Sequence, residues 1–564
     1  MTTTPIHSPV DDPVGVLADR FWEWYLERQP LYATVLGDER YDDRLDDPGP
    51  QARADEATTL HGILAEGATI PTADLETEER ITLDMLQVVA RMRLRAHDDR
   101  LHHFEAVDQM AGPHNTPGDL ARFQRTDTPE RFQRLLARIA LFPAHLAAHT
   151  ENLEEGARAG RTAARPVMER TITQVRRAVD TPASESPLLA PDRTLSDEQR
   201  ASLRQRLERD VAPALTKYLA SLEGLLPTAR TGDGVWSLPD GEAVYSTAIL
   251  AWTTLDDPPQ AFHDYGLAAI EEIDEERAAI ATELGYRDTE SLRASLDEDL
   301  DNRPPSRESL VELAREQIAR AEAVAPTVFG RLPRAACVVR PVEAYMEAEA
   351  PPAFYFPPAP DGSRDGIYYI NTFDPASRPL HRLATTTYHE AVPGHHFQIS
   401  LETELEDLPD FRRFGSRLLG TAYAEGWGLY SERLADELGL FHGPRERLGM
   451  LDAQAWRAAR LVVDTGIHAF RWPRQRAIDF LRRTAGLTPL EAETEVDRYI
   501  CWPGQALSYM SGQREIQSLR RAMQERDGDG FDLSAFHDAV LGHGSLPLAT
   551  LRRELPRWLL PTAS

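Results

Sequence analysis

The chain has 564 residues, 91 acidic against 62 basic, for a formal net charge of −29. That excess disfavours nucleic acid or an anionic membrane surface as a partner, and no apolar run approaches the ~20 residues of a membrane span. Two cysteines, Cys337 and Cys501, are too few for a disulfide framework and fit a reducing compartment.

The opening stretch, M-T-T-T-P-I-H-S-P-V-D-D-P, lacks a basic region, an apolar core and a lipid-attachable Cys. A signal peptide is therefore not expected, and the expected location is cytoplasmic. Helical patterning follows, with apolar residues three and four apart among charges over Asp197–Leu225, Pro259–Leu284 and Ser306–Ala325. Proline-marked breaks at 182–191, 304–305 and 351–360 read as loops between helical units. Three strands are expected close together: C-V-V-R-P-V-E-A-Y-M (337–346), A-F-Y-F (353–356) and G-I-Y-Y-I-N-T-F-D-P (366–375), the last closed by Asp-Pro. The expected class is mainly α, a large helical protein with a small β-sheet beside the helix that follows. Residues 1–300 form a helical N-terminal part and 301–564 a catalytic part, together one continuous compact unit. An extended peptide could add to such a sheet as a strand, with Asn371 holding its backbone; a plain structural hairpin is the alternative.

Residues 388–398 read Y-H-E-A-V-P-G-H-H-F-Q. A His followed by Glu, with further histidines one or two turns on, is the residue set of a hydrolytic zinc site: imidazoles bind the ion and the carboxylate takes a proton from water. In the common H-E-x-x-H form the two histidines share a helical face, four residues apart. Here Pro393 occupies that position, and His395 and His396 lie six and seven residues after His389. On a regular helix an offset of six points about 120° away, and an offset of seven separates the Cα atoms by about 10 Å. Pro393 removes a backbone donor and clashes with the carbonyl of His389, and Gly394 accepts almost any backbone angle. The pair can break the helix and bring His395 back towards His389. The plain alternative is a helix ended by Pro-Gly whose histidines only cap or pack.

A third ligand is expected from a carboxylate on a later helix. In G-T-A-Y-A-E-G-W-G-L-Y-S-E (420–432), Glu425 and Glu432 lie seven apart and share a face. Ala424, Gly426 and Gly428 suit close approach of another helix. Tyr423, Trp427 and Tyr430 argue against a solvated face, and a buried glutamate needs a metal or an arginine beside it.

H-E-A-V-P-G-H-H-F-Q, then A-Y-A-E-G-W-G-L-Y-S-E, D-T-G-I-H (464–468) and W-P-G-Q-A-L-S-Y (502–509), in that order, resemble the family catalogued as domain of unknown function 885. The segment P-L-Y-A-T-V-L-G-D-E-R-Y-D-D-R-L (30–45) resembles that family's opening, so the likeness spans nearly the whole chain. It implies a mostly helical zinc metallopeptidase, in a family with many exported or lipid-anchored members. A looser likeness runs to the thimet-oligopeptidase-like zinc peptidases. It implies His389, His395 and Glu425 as metal ligands, with His396 the alternate second histidine.

On that reading Glu390 is the general base and Tyr509, or else His468, the donor to the oxyanion. Glu432 and Asp464 are candidate partners that orient a histidine. Arg457, Arg460 and Arg520 are candidates to hold a substrate carboxylate, Arg520 being carried forward with Asn371 as the substrate set. One zinc ion is expected, although manganese, iron or cobalt accept the same ligands. The expected function is zinc-dependent cleavage of short peptides. The alternatives are a hydrolase of a small non-peptide amide or ester in a specialised pathway, and a non-catalytic binding protein with a decayed site.

Overall fold

The computed structural model describes residues 12–559 except 192, 344–346, 348–349, 360–361 and 363. The opening stretch read for a signal peptide lies largely outside these residues, as do 344–346 of the first expected strand. Helix accounts for 71% of the structure, against one three-stranded sheet among the described residues, so the class is mainly α with a small β-sheet. No helix there is long and apolar enough to cross a membrane.

The chain divides into two compact units. The first comprises Met1–Thr247, Ile467–Arg474 and Glu493–Pro503; the second Ala248–Gly466, Gln475–Ala492 and Gly504–Ser564. The division falls after Thr247 rather than near residue 300, and the later segments belonging to the first unit carry no local sequence signal.

In the first unit, α1 (Pro13–Arg28), α2 (Pro50–Gly67) and α3 (Thr77–Asp98) pack together. Asp12 caps α1 by accepting the Gly15 N–H at 2.7 Å, and Leu17, Phe21 and Tyr25, four residues apart, form its buried stripe. Glu76 and Glu79 form a capping box on α3. Buried Glu56 of α2 joins the three helices: Arg93 and His97 of α3 and Arg28 of α1 surround its carboxylate. The helix expected over Asp197–Leu225 has a π-helical turn at Leu207–Val211. Pro213 follows two residues after Val211, and the wider turn accommodates a residue that lacks a backbone donor.

The second unit contains β1 (Cys337–Pro341), β2 (Ala353–Phe356) and β3 (Gly366–Ile370). β3 lies in the middle, parallel to β1 and antiparallel to β2, with Val339 opposite Tyr368 and Tyr355 opposite the same residue on the other side. The third strand stops at Ile370, short of the expected Pro375. Asn371 diverts the chain: its amide donates to the Glu347 and Ala350 carbonyls at 2.7 and 2.9 Å, and its side-chain oxygen accepts the Phe373 N–H. The helix Pro259–Glu283 and the helix Arg307–Val324 lie close to their expected spans.

After the sheet come α4 (Leu383–Glu390), α5 (His395–Thr403), α6 (Ala422–Glu437), α7 (Gly443–His468) and α8 (Ser508–Asp527). The helices α6 and α8 are in intimate contact, because Gly426 and Gly512 bring the two backbones together where any side chain would collide.

Candidate metal centre

Two anchors hold α4. Thr387 donates to Gln317 Oε1 at 2.8 Å on the helix Arg307–Val324, and the Tyr388 hydroxyl donates to the Leu440 carbonyl at 3.0 Å. His389 follows them in sequence and is buried. The helix ends at Glu390, the chain turns through Ala391–Gly394, and α5 begins at His395. A side chain at Gly394 would collide with the carbonyl oxygens of Tyr388 and His389, which is why this tight turn takes glycine. The Pro393 carbonyl accepts from the Trp427 indole N–H at 2.8 Å and the Ser431 hydroxyl at 3.2 Å, so α6 fastens the break in place.

This break turns the wrong spacing into a convergent one. The rings of His389 and His395 lie 4.7 Å apart, nearly perpendicular. Glu425 Oε2 stands 3.3 Å from His389 Nε2 and 3.6 Å from His395 Nε2. Zinc held tetrahedrally at about 2.0–2.1 Å from each ligand needs ligand-to-ligand separations of about 3.3–3.5 Å. The donor types present here suit that ion, and the two separations to Glu425 lie at or just beyond that range. Among the described residues His395 Nδ1 is buried without a hydrogen-bond partner.

Behind His389, Nδ1–H donates to Glu432 Oε1 at 2.8 Å, which leaves Nε2 facing Glu425. Gln454 of α7 donates to Glu432 Oε2 at 2.9 Å and to the Leu429 carbonyl at 3.1 Å. Gln513 of α8 donates to the same carbonyl and to Gln454 Oε1, both at 2.9 Å. A chain of oriented dipoles thus fixes the imidazole tautomer. Gly428 lies flat against the ring: a Cβ there would come within 2.8 Å of His389 Cε1 and 2.9 Å of Nε2.

Burial alone would strip the proton from His389, but Glu425 and Glu432 outweigh it and push its pKa up to about 10. Two carboxylates at one imidazole make the surroundings of His389 electronegative. Another cluster among the described residues, His102, His103 and Glu155, has the opposite character. There burial and the charges of Arg53 and Arg161 push His102 down to about 3. Electrostatics favour the first cluster for a metal and disfavour the second.

A Glu390 carboxylate oxygen lies within 4.8 Å of a ring nitrogen of both His389 and His395. Burial raises its pKa, although the two histidines and a hydrogen bond from the Tyr355 backbone N–H pull the other way. A carboxylate with a raised pKa holds an abstracted proton better than an ordinary glutamate does.

The other expected site residues have different places. His396 points elsewhere: its Nδ1 meets the Tyr355 hydroxyl at 2.9 Å, its pKa pushed down to about 4 by burial, and it anchors α5 to β2. His468, at the end of α7 and in the first unit, is a correction to the expected donor. Its Nδ1 accepts the Val235 N–H at 3.2 Å and its Nε2 bonds the Tyr499 carbonyl at 2.9 Å, so both ring nitrogens are used by backbone. Asp464 accepts the Gly504 N–H at 3.1 and 3.2 Å and so holds that loop. Asn371 is spent on its own loop and is not placed to hold a substrate backbone. Arg520 pairs with Glu437 and donates to the Tyr430 hydroxyl at 3.1 Å, which leaves it no role as a carboxylate receptor. Tyr509 sits buried in the first turn of α8, with the Arg460 guanidinium 4.4 Å from its ring centre.

Gln454, Gln513 and the contact of Gly428 with His389 were not anticipated from sequence. The run A-E-G-W-G did signal a close approach, but the partner is a side chain at Gly428 and a helix only at Gly426.

The model of the family described as "Bacterial protein of unknown function (DUF885)" matches residues 30–555. The chain belongs to this family. Its structure is similar to that of the putative lipoprotein from Colwellia psychrerythraea, with a TM-score of 0.88 and 28% identity over 97% of this chain and 98% of that one. A putative lipoprotein of unknown function from Shewanella oneidensis shares the fold, with a TM-score of 0.78 and 21% identity over 96% and 99% of the two chains. No curated protein matches.

Proposed function

We propose that this member of the family is a zinc-dependent hydrolase that cleaves the amide bonds of short peptides. The observation that carries the reading is the convergence of His389 Nε2, His395 Nε2 and Glu425 Oε2 at 3.3 and 3.6 Å, with Glu390 beside them. His389, His395 and Glu425 would hold the ion and leave a fourth position open. When bound, zinc supplies Lewis-acid activation of a water molecule and polarises the substrate carbonyl. Glu390 accepts the proton from that water at its carboxylate and passes it to the leaving nitrogen. Glu432 keeps His389 in the tautomer whose Nε2 faces the centre. β2 is an edge strand whose Tyr355 N–H already faces Glu390, which supports an extended substrate lying along that edge. Tyr509 is retained as the candidate oxyanion donor.

The test is activity on short peptides by the purified chain, with metal content measured alongside. Hydrolysis should disappear with a chelator and return with zinc. Glu390→Gln should keep the zinc and lose about 10²–10⁴-fold in rate, the usual contribution of a general base. A Glu390→Gln protein as active as the wild type would end the reading.

The cytoplasmic location stays part of this proposal. Cys337 and Cys501 are both free thiols, which suits a reducing compartment. Cell fractionation tests it, and recovery of the protein with membranes would count against it.

A further inference from the structure

The layer of side chains behind the metal ligands continues one helical turn further along the same three helices. In the first layer, Gln454 of α7 and Gln513 of α8 meet at the Leu429 carbonyl of α6, beside Glu432. Four residues back on α6 stands Glu425, and four residues back on α8 stands Tyr509, each on the same face as its layer-one neighbour. The α7 residues that meet Tyr509 follow Gln454 by one and nearly two turns: Arg457 at 6.0 Å and Arg460 at 4.4 Å from the ring centre. Arg457, Arg460, Tyr509 and Glu425 therefore share the layer next to the Glu432 layer, at the metal-ligand end of α6.

Arg457 is one of the half-buried arginines without a carboxylate, and it alone of these flanks Tyr509. The chain carries 91 acidic against 62 basic residues, and most of its half-buried arginines have a carboxylate, as Arg520 has Glu437. Among the described residues Arg457 has no ion pair. Its only hydrogen bond goes to the Ala453 carbonyl of its own helix, at a long 3.4 Å, and its Nε is buried with no partner. The Trp456 ring, 5.0 Å from its guanidinium, and Tyr509 flank it. A guanidinium left with free donors between aromatic faces suits a planar anion, which it can grip with two parallel N–H groups.

We propose that Arg457 receives a carboxylate of the substrate, so that the peptides cleaved are those presenting a free carboxylate within a residue or so of the scissile bond. This rests on the hydrolase reading, and it narrows the substrate class from short peptides in general to anionic ones. The carboxylate has two possible sources, the C-terminus and an Asp or Glu side chain.

The zinc-loaded full chain is given three peptides of one sequence: a free acid, its C-terminal amide, and the amide with Glu beside the scissile bond. At least one carboxylate-bearing peptide should exceed the neutral amide in kcat/KM by about 10- to 100-fold, as expected for a charge-assisted hydrogen-bonded pair. The favoured peptide identifies the source. In Arg457→Met, with metal content and thermal midpoint checked against the wild type, that preference should shrink to about 2-fold or less. A second arm needs no turnover: calorimetric titration with N-acetyl-dialanine as the acid and as the amide. Binding of the acid alone, lost in Arg457→Met, together with no hydrolysis of any peptide, would uphold the carboxylate site and sink the hydrolase reading. A wild type that handles acid and amide alike in both arms overturns the proposal, and so does an Arg457→Met protein that keeps the wild-type preference.

Discussion

At the scale of single residues, the neighbours His395 and His396 have different environments. His395 Nε2 faces Glu425 while its Nδ1 has no partner, and His396 is tied to Tyr355. The expected outcome is that His395→Ala purifies with little zinc and His396→Ala keeps it, losing thermal stability instead. Metal analysis of the two variants decides; equal zinc loss in both would refute the assignment. Gly428→Ala is the sharper probe, since it removes no ligand atom. Its methyl would press on His389 Cε1 and Nε2 from 2.8 and 2.9 Å, so the ring must shift away from Glu425. Zinc affinity should fall roughly 10- to 100-fold, as when an orienting partner is disturbed, in a protein that still folds. Competition with a chromogenic chelator measures it. Much of this was legible in the sequence, because His389–Glu390 is a contiguous motif and the seven-residue offset of Glu425 and Glu432 is a property of any helix. The different tasks of those two glutamates were expected from the family likeness, and the structure shows one facing Nε2 and the other Nδ1. His468 misled because a polar residue in a recognisable motif looks alike whether it serves chemistry or a backbone N–H.

At the scale of elements, period and punctuation located the helices and all three strands. Where they misjudged the end of the third strand, a side chain had intervened, as Asn371 does after β3. Pairing order was out of reach, since nothing local says that β3 lies between β1 and β2. The link among α1, α2 and α3 was equally hidden, although it has a measurable consequence. Burial disfavours ionised Glu56, but hydrogen bonds and charge from His97 and Arg93 outweigh that and lower its pKa to about 2. A carboxyl depressed from 4.5 in the folded state stabilises the fold above about pH 4.5, and that contribution disappears as pH falls towards 2. The full depression corresponds to roughly 3 kcal/mol as an upper figure. Glu56→Gln should therefore cost stability at pH 7 and lose its disadvantage near pH 2–3. Denaturant melts at both pH values check it; an equal cost at both would show that packing rather than charge is what the substitution removes.

At the scale of the whole molecule, composition excluded more than it identified, and the two-unit division was invisible because the chain returns to the first unit at Ile467–Arg474 and Glu493–Pro503. Such long-range returns depend on packing between segments hundreds of residues apart. The proposed metal ligands, by contrast, all come from the second unit, and they span 36 positions from His389 to Glu425 on three separate helices. An unfolded chain cannot present them together, so on the proposed reading zinc would bind the folded form and stabilise it by mass action. With free zinc at a thousand times its dissociation constant the gain is about 4 kcal/mol. For a chain of this size that raises the midpoint by roughly 3–6 °C. Two units need not melt in one step, so scanning calorimetry, which resolves components, is the suitable measurement. The wild type should shift downwards when zinc is chelated and recover when it is restored. His389→Ala and Glu425→Gln should melt at one temperature with or without zinc. If zinc raised the midpoint of those variants as much as that of the wild type, the ion would be binding elsewhere, and the convergence of His389, His395 and Glu425 would need another explanation.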